Sequence, residues 1–161
     1  MKTFLVCSDI HGDRYHFDKM VKSLPSADGI ICAGDISCGP DEIRKRAGKI
    51  PVYLVQGNCD RWRAPDLPET ISFRAQGHRI MVTHGHLFAV PSTGTLKKEA
   101  RRRGCDIVIF GHIHRYFRKE EDGILYLNPG AVCGCRNTGR PSWMILELSD
   151  DGSVHVDYIE I

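Results

Sequence analysis

The apolar residues of the chain form short runs separated by polar segments, and this pattern predicts a mixed α/β protein. In the first sixty residues, continuous apolar runs at 3–7, 29–33 and 51–55 predict buried strands. Residues 13–24 carry apolar side chains at helical spacing, and 41–47 form a short charged segment between glycines, so both predict helices. The order is therefore β-α-β-α-β, with a polar, glycine-containing loop after each strand.

The second half of the sequence predicts more strands than helices. Runs at 70–73 and 79–83 flank a Gln76-Gly77 turn and predict a hairpin, and 94–103 is helical in character. Further strands are predicted at 106–110, 124–127, 143–148 and 153–161. One mixed α/β domain over residues 1–161, with two packed sheets and outer helices, accommodates this order, although the pattern leaves the number of sheets open.

Composition and charge narrow the class of protein. The 161 residues are 42% hydrophobic and 26% charged, as in an ordinary globular domain. The net charge of +2 disfavours a nucleic-acid or membrane-surface binder, and the basic run 97–103 is predicted to be a solvated helix face. Without a signal peptide or a membrane-spanning apolar run, we expect a cytoplasmic protein whose seven cysteines are reduced.

Side chains that bind metals follow five of the predicted strands. Strand ends are where ligands bind in α/β proteins, and residues two apart in extended backbone point the same way. Seven donors are too many for one divalent ion and suit two, if one carboxylate bridges them. Their mixture of oxygen and nitrogen favours Mn, Fe, Zn, Co or Ni, with Mn first, over Mg or Ca. The donors are Asp9, His11, Asp35, Asn58, His84, His112 and His114.

Two divalent ions about 3.5–4 Å apart can clamp the attacking and leaving oxygens of an in-line displacement at phosphorus. The sequence contains no nucleophile elbow, P-loop or dinucleotide fingerprint that competes with this interpretation. The donors therefore predict a metal-dependent phosphoesterase.

The same residues resemble the motifs of a known family. The blocks Asp9-Ile10-His11, Gly34-Asp35, Gly57-Asn58-Cys59-Asp60, Thr83-His84-Gly85-His86 and Gly111-His112-Ile113-His114 resemble, in this order, those of the calcineurin-like metallophosphoesterases. The chain is most similar to the small single-domain prokaryotic phosphodiesterases of that family, and Leu127-Asn128-Pro129-Gly130-Ala131-Val132 also resembles a segment of theirs.

The resemblance implies a four-layer α/β/β/α sandwich of two mixed sheets flanked by helices, with two metals at the sheet ends. It implies a first metal position formed by Asp9, His11 and His114 and a second formed by Asn58, His84 and His112. Asp35 would bridge the two, and a metal-bridging hydroxide would attack phosphorus without a covalent enzyme intermediate.

Three residues near these motifs leave alternatives open. Cys59 stands where many relatives have a histidine that contacts phosphate or protonates the leaving group, and a thiol is the poorer acid near neutral pH. Asp60 either pairs with His11 or Arg61 or is a turn residue, and His86 either contacts phosphate or packs on its loop. The catalytic candidates are Asp35, Asn58, Asp60 and His86.

The leading functional hypothesis is a dinuclear phosphodiesterase that acts on a small phosphoester substrate. A phosphomonoesterase or nuclease on the same site is the chemically nearer alternative. The short chain leaves little material for a substrate cap, so we expect an open pocket. A non-catalytic scaffold for a protein partner is the more distant one, since such a protein is expected to have lost metal ligands. Pairing of edge strands would allow a homodimer.

Overall fold

The computed structural model describes all residues 1–161 and contains two five-stranded sheets and three α-helices. Ten strands and three helices follow in the order β1 (Lys2–Cys7), α1 (Arg14–Ser23), β2 (Gly29–Cys32), α2 (Pro40–Ala47), β3 (Val52–Leu54), β4 (Thr70–Ala75), β5 (His78–Thr83), α3 (Gly94–Arg103), β6 (Ile107–Ile109), β7 (Tyr116–Glu121), β8 (Ile124–Pro129), β9 (Ser142–Leu148) and β10 (Val154–Glu160). One turn of 3₁₀ helix covers Asn58–Asp60.

Both sheets are mixed, and each contains three adjacent parallel strands. The first has the order β10-β9-β1-β2-β3, in which β1, β2 and β3 are parallel. The second has the order β4-β5-β6-β8-β7, in which β5, β6 and β8 are parallel. Because parallel strands end at the same edge, the loops after β1, β2 and β3 lie side by side, as do those after β5 and β6.

Three apolar clusters define four layers. Alternate residues of β1 point to opposite faces, so Leu5 packs with α1 and α2 while Phe4 and Val6 face the second sheet. The other face of the second sheet packs against Leu96 and Ala100 of α3. The layers are therefore helices, sheet, sheet and helix, which confirms the predicted α/β/β/α sandwich.

The pattern missed one element, β7. Its sequence Tyr-Phe-Arg-Lys-Glu-Glu is mostly exposed, and it pairs only with β8 at the edge of its sheet. An edge strand with one solvated face needs no apolar run, so the periodicity of the sequence did not reveal it.

The run 97–103 lies in α3, where its charges pair within the chain, as Lys97 does with Glu121. None of the three helices has the length and apolar character that crossing a membrane requires.

Candidate metal centre

Backbone hydrogen bonds join the loops after β1 and β2. The amide of Asp9 donates to the carbonyl of Gly34 at 3.0 Å, and that of His11 donates to the carbonyl of Asp35 at 2.9 Å. Gly12 continues the series by donating to the carbonyl of Ile36 at 2.9 Å. The parallel pairing of the two strands thus extends into their loops and brings the Asp9 and Asp35 side chains together.

Five of the seven predicted ligands have left-handed backbone, which differs from the extended conformation expected after β1. A non-glycine residue in this region costs on the order of 1 kcal/mol, and such residues concentrate at functional sites. The extended-backbone explanation for the pairing of Asp9 and His11 is therefore wrong: they converge through successive left-handed turns. The φ angles are 54° at Asp9, 44° at His11, 54° at Asp35, 72° at His112 and 53° at His114.

The Asp9 carboxylate is fully buried and its two oxygens have different surroundings. Oδ2 accepts hydrogen bonds from the Ser8 hydroxyl at 2.7 Å and from the His112 amide at 3.0 Å. Oδ1 has no hydrogen-bond partner of acceptable geometry. It lies 2.9 Å from His114 Nε2 and 3.4 Å from His11 Nε2. One oxygen is therefore held by the protein, while the other faces two imidazole nitrogens.

Asp35 lies between two histidines. Its Oδ1 accepts a hydrogen bond from the Cys59 amide at 2.8 Å, and its Oδ2 is 3.2 Å from His84 Nε2 and 3.6 Å from His11 Nε2. His84 is buried, and its Nδ1 lies 2.7 Å from the carbonyl oxygen of Ala33. Because a carbonyl only accepts, Nδ1 carries a proton, and Nε2 is the ring atom that faces the carboxylates and could bind a metal.

The remaining candidate histidines group around His84. The ring centroid of His112 is 5.2 Å from that of His84, and the ring centroid of His86 is 5.5 Å from it. His86 therefore faces the histidine cluster, and its buried Nδ1 has no hydrogen-bond partner. Asn58 is exposed at the start of the 3₁₀ turn, with its amide nitrogen 3.6 Å from Cys59 Sγ.

The charges of the cluster shift its pKa values in opposite directions. Burial acts to raise the pKa of Asp9, but contacts with His11 and His114 bring it well below its usual value. Burial likewise acts to lower the pKa of His84, but Asp35 and Asp9 raise it overall. The pKa of His86 is lowered by burial and by its histidine neighbours. The carboxylates are thus ionised and His86 is neutral at pH 7.

Asp60 does not pair with His11 or Arg61 as the sequence suggested. Its fully buried carboxylate accepts hydrogen bonds from four backbone amides, those of Asp35 at 2.8 Å, Ile36 at 3.0 Å, Ser37 at 3.1 Å and Gly57 at 2.9 Å. A carboxylate is the side chain best suited to several converging N–H groups. Asp60 therefore holds the backbone of the Asp35 loop and does not face the ligand cluster.

Two residues that sequence reasoning missed or left open support the ligand loops. Ser8 holds Asp9 Oδ2, and only its position beside an aspartate hinted at this. Asn128 donates from Nδ2 to the Gly111 carbonyl at 2.9 Å and accepts from the Gly130 amide at 3.0 Å. Asn128 therefore stabilises its own turn and also the loop that carries His112.

Two thiols lie beside these side chains. Cys59 Sγ lies within 4.8 Å of ligand atoms of His11 and Asp35, and Cys133 Sγ lies within 4.8 Å of ligand atoms of His11 and His114. Burial and the Asp35 carboxylate raise the pKa of Cys59 to about 11. Burial and the charge of Asp9 raise the pKa of Cys133 to about 11. Neither thiol is therefore suited to donate a proton near neutral pH.

The donor set fits divalent metal ions. Asp9, Asp35 and His84 offer ligand atoms within 4.8 Å of one another, and all three residues are buried. Asp9 Oδ1 and His84 Nε2 are both buried without a hydrogen-bond partner, which is costly unless a cation satisfies them. Carboxylate oxygens and imidazole nitrogens that face a common space are the ligands that divalent transition metals prefer.

Comparison with known proteins agrees with this chemistry. The model of the calcineurin-like phosphoesterase superfamily domain matches residues 1–151. The chain is 30% identical to the probable metallophosphoesterase YsnB of Bacillus subtilis, over 92% of this chain and 86% of YsnB. It is 24% identical to the phosphodiesterase YfcE of Escherichia coli, over 82% of this chain and 80% of YfcE.

Among solved structures, Vps29 of Entamoeba histolytica in complex with Zn²⁺ superposes with a TM-score of 0.76 at 26% identity, covering 98% of each chain. The fold, the converging carboxylates and imidazoles, and the match over most of the sequence agree. The chain therefore belongs to the calcineurin-like phosphoesterase superfamily and is a metal-dependent phosphoesterase.

Proposed function

We propose that residues 1–161 form one metallophosphoesterase domain that hydrolyses phosphodiesters with two divalent ions. The observation that carries this proposal is the position of Asp35, whose Oδ2 lies 3.2 Å from His84 Nε2 and 3.6 Å from His11 Nε2. A carboxylate shared by two sets of donors is what a bridging ligand requires. Asp9, His11 and His114 would hold the first ion, and Asn58, His84 and His112 the second.

When bound, two such ions supply an activated water and neutralise charge on the phosphoryl oxygens. The chain's own residues prepare the site for this. Asp60 fixes the Asp35 loop through four backbone hydrogen bonds, so we assign it a positioning role. His86 has a neutral, half-buried ring beside His84, and it provides a hydrogen-bonding group for a phosphate oxygen.

A cationic cavity next to the metal centre supports an anionic substrate. The cavity, about 530 Å³, is lined by His112, Arg115, Arg136 and Asn137 together with Val90, Pro91 and Ile113, and no acidic residue lines it. Guanidinium groups are well suited to phosphate, and the apolar wall suits an organic substituent of the ester. The substrate class is therefore a small phosphoester with an organic group on the His112 side.

The group at position 59 bears on the leaving group of the ester, and the names of the relatives favour a diester over a monoester. A high pKa leaves the Cys59 thiol unable to protonate a leaving group at neutral pH. Esters whose leaving group departs without a proton suffer least from this. The relative YfcE is named a phosphodiesterase.

Both Mn²⁺ and Zn²⁺ are metals to test, since Vps29 has been solved with zinc. A cytoplasmic location and dimerisation stay predictions.

One observation favours the scaffold alternative. The chain is similar in structure to Vps29, which is named a vacuolar protein sorting protein. Turnover by the metal-loaded protein separates the two hypotheses, because Vps29 has itself been solved with Zn²⁺ and metal binding alone fits both. Enzyme function predicts about two equivalents of divalent metal after incubation and dialysis, and hydrolysis of a phosphodiester in that state. Metal uptake without hydrolysis would favour the scaffold.

Hydrolysis of bis(p-nitrophenyl) phosphate with Mn²⁺ or Zn²⁺ tests the proposed activity. We expect Asp35→Asn and His84→Ala to reduce kcat/KM by at least about 100-fold, because each removes an interaction with the metals. His155→Ala, at an exposed position of β10, is the matched control and is expected to keep full activity. Full activity in both site variants would contradict the mechanism, and faster turnover of p-nitrophenyl phosphate or of single-stranded DNA would favour the monoesterase or the nuclease.

A further inference from the structure

The loop after β8 brings a thiol to the first metal position. Cys133 follows the Asn128–Val132 segment and precedes Gly134, whose φ of 116° turns the chain sharply. Its Sγ and ligand nitrogens of His11 and His114 all lie within 4.8 Å of one another. No other thiol of the chain has this relationship to that pair of histidines.

Backbone hydrogen bonds fix this loop to the residues of the first metal position. Val132 donates to the Ser8 carbonyl at 3.1 Å and Cys133 donates to the Asp9 carbonyl at 3.2 Å. Farther along, the Arg136 amide donates to the His114 carbonyl at 3.0 Å. The backbone of Cys133 is thus bonded directly to Asp9, and the end of its loop is bonded to His114. These hydrogen bonds fix the position of Cys133 relative to Asp9 and His114.

The thiol of Cys133 makes no hydrogen bond, whereas the thiol of Cys135 in the same loop is buried and contacts the Ser142 hydroxyl at 3.0 Å. The two cysteines therefore have different environments: Cys135 is part of the packing, and Cys133 is free to take a ligand. Beside it, the fully buried Asp9 keeps Oδ1 without a hydrogen-bond partner, facing the same two imidazoles.

We propose that the Cys133 thiolate is a ligand of the first metal position, together with Asp9, His11 and His114. This inference rests on the proposed function, because it requires that the position binds a metal. Metal–sulfur bonds of about 2.3 Å and metal–nitrogen bonds of about 2.0 Å put two ligand atoms of one ion roughly 3.5–4.3 Å apart. Cys133 Sγ lies within 4.8 Å of both nitrogens, which is close to this range in the absence of an ion. On binding, the thiol proton passes to solvent and the sulfur donates an electron pair to the ion.

A thiolate changes which metal the first position selects. Two imidazoles, the carboxylates of Asp9 and the bridging Asp35, and one thiolate form a softer donor set than the same imidazoles and carboxylates alone. Sulfur ligands favour Zn²⁺, Fe²⁺ or Co²⁺ over Mn²⁺. We therefore infer that the first position takes a thiophilic ion. The second position, formed by oxygen and nitrogen donors, stays compatible with Mn²⁺.

Co²⁺ titration of the metal-free protein tests this without an activity assay. A cobalt–thiolate bond produces an intense near-ultraviolet charge-transfer band, which imidazole and carboxylate ligands do not produce. We expect the band in the wild type, its loss in Cys133→Ser and its retention in Cys59→Ser. Cys59→Ser is the matched control, because Cys59 is the other exposed thiol near His11. Competition between Zn²⁺ and Mn²⁺ is expected to show at least a tenfold loss of zinc preference in Cys133→Ser alone.

The outcomes separate the two proposals. Binding of Co²⁺ without the charge-transfer band, or a band that disappears in Cys59→Ser and persists in Cys133→Ser, overturns the assignment of Cys133 and leaves the proposed function standing. Failure of the wild type to bind Co²⁺, Zn²⁺ or Mn²⁺ overturns the metal centre itself. Circular dichroism and the melting temperature of each metal-free variant verify that the serine substitutions leave the fold intact.

Discussion

The Asp60 carboxylate fixes the backbone of Asp35, with Oδ2 accepting hydrogen bonds from the amide of Asp35 at 2.8 Å and from that of Gly57 at 2.9 Å. One buried side chain thereby ties the loop after β2 to the loop after β3. The left-handed φ of 54° at Asp35 is held by this bond and not by local preference. The predicted bridging ligand is therefore placed by a residue that touches no other predicted ligand.

Replacing Asp60 by alanine should lower the free energy of unfolding by about 3 kcal/mol or more, because it leaves buried amides without an acceptor. Metal binding should weaken as well, since the Asp35 loop loses the hydrogen bonds that fix its backbone. Urea unfolding and calorimetric titration with Zn²⁺ measure the two effects. Asp66→Ala, at an exposed position farther along the same loop, should change neither quantity. Wild-type metal affinity in Asp60→Ala would refute the positioning role.

Gly111→Ala should disrupt the first metal position. A Cβ on Gly111 would overlap Ser8 Oγ and lie 2.8 Å from Asp9 Oδ2, so the hydrogen bond that orients Asp9 has to break. We expect a loss of about 2–4 kcal/mol in unfolding free energy, as for other overpacked buried sites, and a fall in metal stoichiometry. Gly39→Ala is the control, because a Cβ there meets no atom within 4 Å. Equal stability of the two variants would contradict the close approach.

Arg136→Ala should raise KM for an anionic diester roughly tenfold and leave kcat nearly unchanged, since it removes a charge that contacts the substrate outside the reacting centre. Steady-state kinetics with bis(p-nitrophenyl) phosphate measure both constants. Arg140→Ala tests the same loop outside the cavity and should behave as the wild type. A drop in kcat with unchanged KM would place Arg136 at the reacting phosphate instead.

Removal of metal should lower the melting temperature, because the ions bind the folded state alone and relieve the repulsion between Asp9 and Asp35. Restoring metal to a hundredfold excess over Kd adds about 2.7 kcal/mol. This corresponds to a rise of roughly 5–10 °C for a chain of this size. Differential scanning calorimetry with EDTA, and then with Zn²⁺ or Mn²⁺, measures the shift. The Asp9→Asn variant should show a much smaller shift, and an equal one would exclude Asp9 as a ligand.

A histidine far from the metal centre should make stability depend on pH. Burial acts to lower the pKa of His78. Two contacts raise it overall: Nδ1 lies 2.7 Å from Asp106 Oδ2, and Nε2 lies 2.8 Å from the Gly152 carbonyl oxygen. The protonated form therefore stabilises the fold below the ordinary value of about 6.5, and this contribution is lost as pH rises through the higher folded pKa.

His78→Gln should thus destabilise the protein more at about pH 6 than at about pH 9, with a difference on the order of 1 kcal/mol. Urea unfolding at both pH values, with Zn²⁺ present throughout, measures the difference. The exposed His155, replaced in the same way, should show little pH-dependent change. A larger effect of His78→Gln at high pH would reverse the predicted sign.

The candidate ligands were readable from the sequence, because apolar runs that end in aspartate, asparagine or histidine mark strand ends in an α/β protein. The order of those blocks also sufficed for the family. The periodicity did not reveal β7 (Tyr116–Glu121), since an exposed edge strand carries no apolar pattern. It also did not reveal the left-handed turns at Asp9 and His11, which depend on hydrogen bonds to the neighbouring loop.

Only the tertiary structure decided which side chains meet. Asp60 is separated from Asp35 by 25 positions, and Cys133 from His11 by far more, so no local pattern relates them. Parallel pairing of β1, β2 and β3 brings their loops to one edge, and the packing of the second sheet adds the histidines after β5 and β6. The sequence therefore determined the donors and the class of chemistry. The folded chain determined the position of Asp35 between His11 and His84, the supporting hydrogen bonds and the position of the Cys133 thiol, because these are contacts between loops that are distant along the chain.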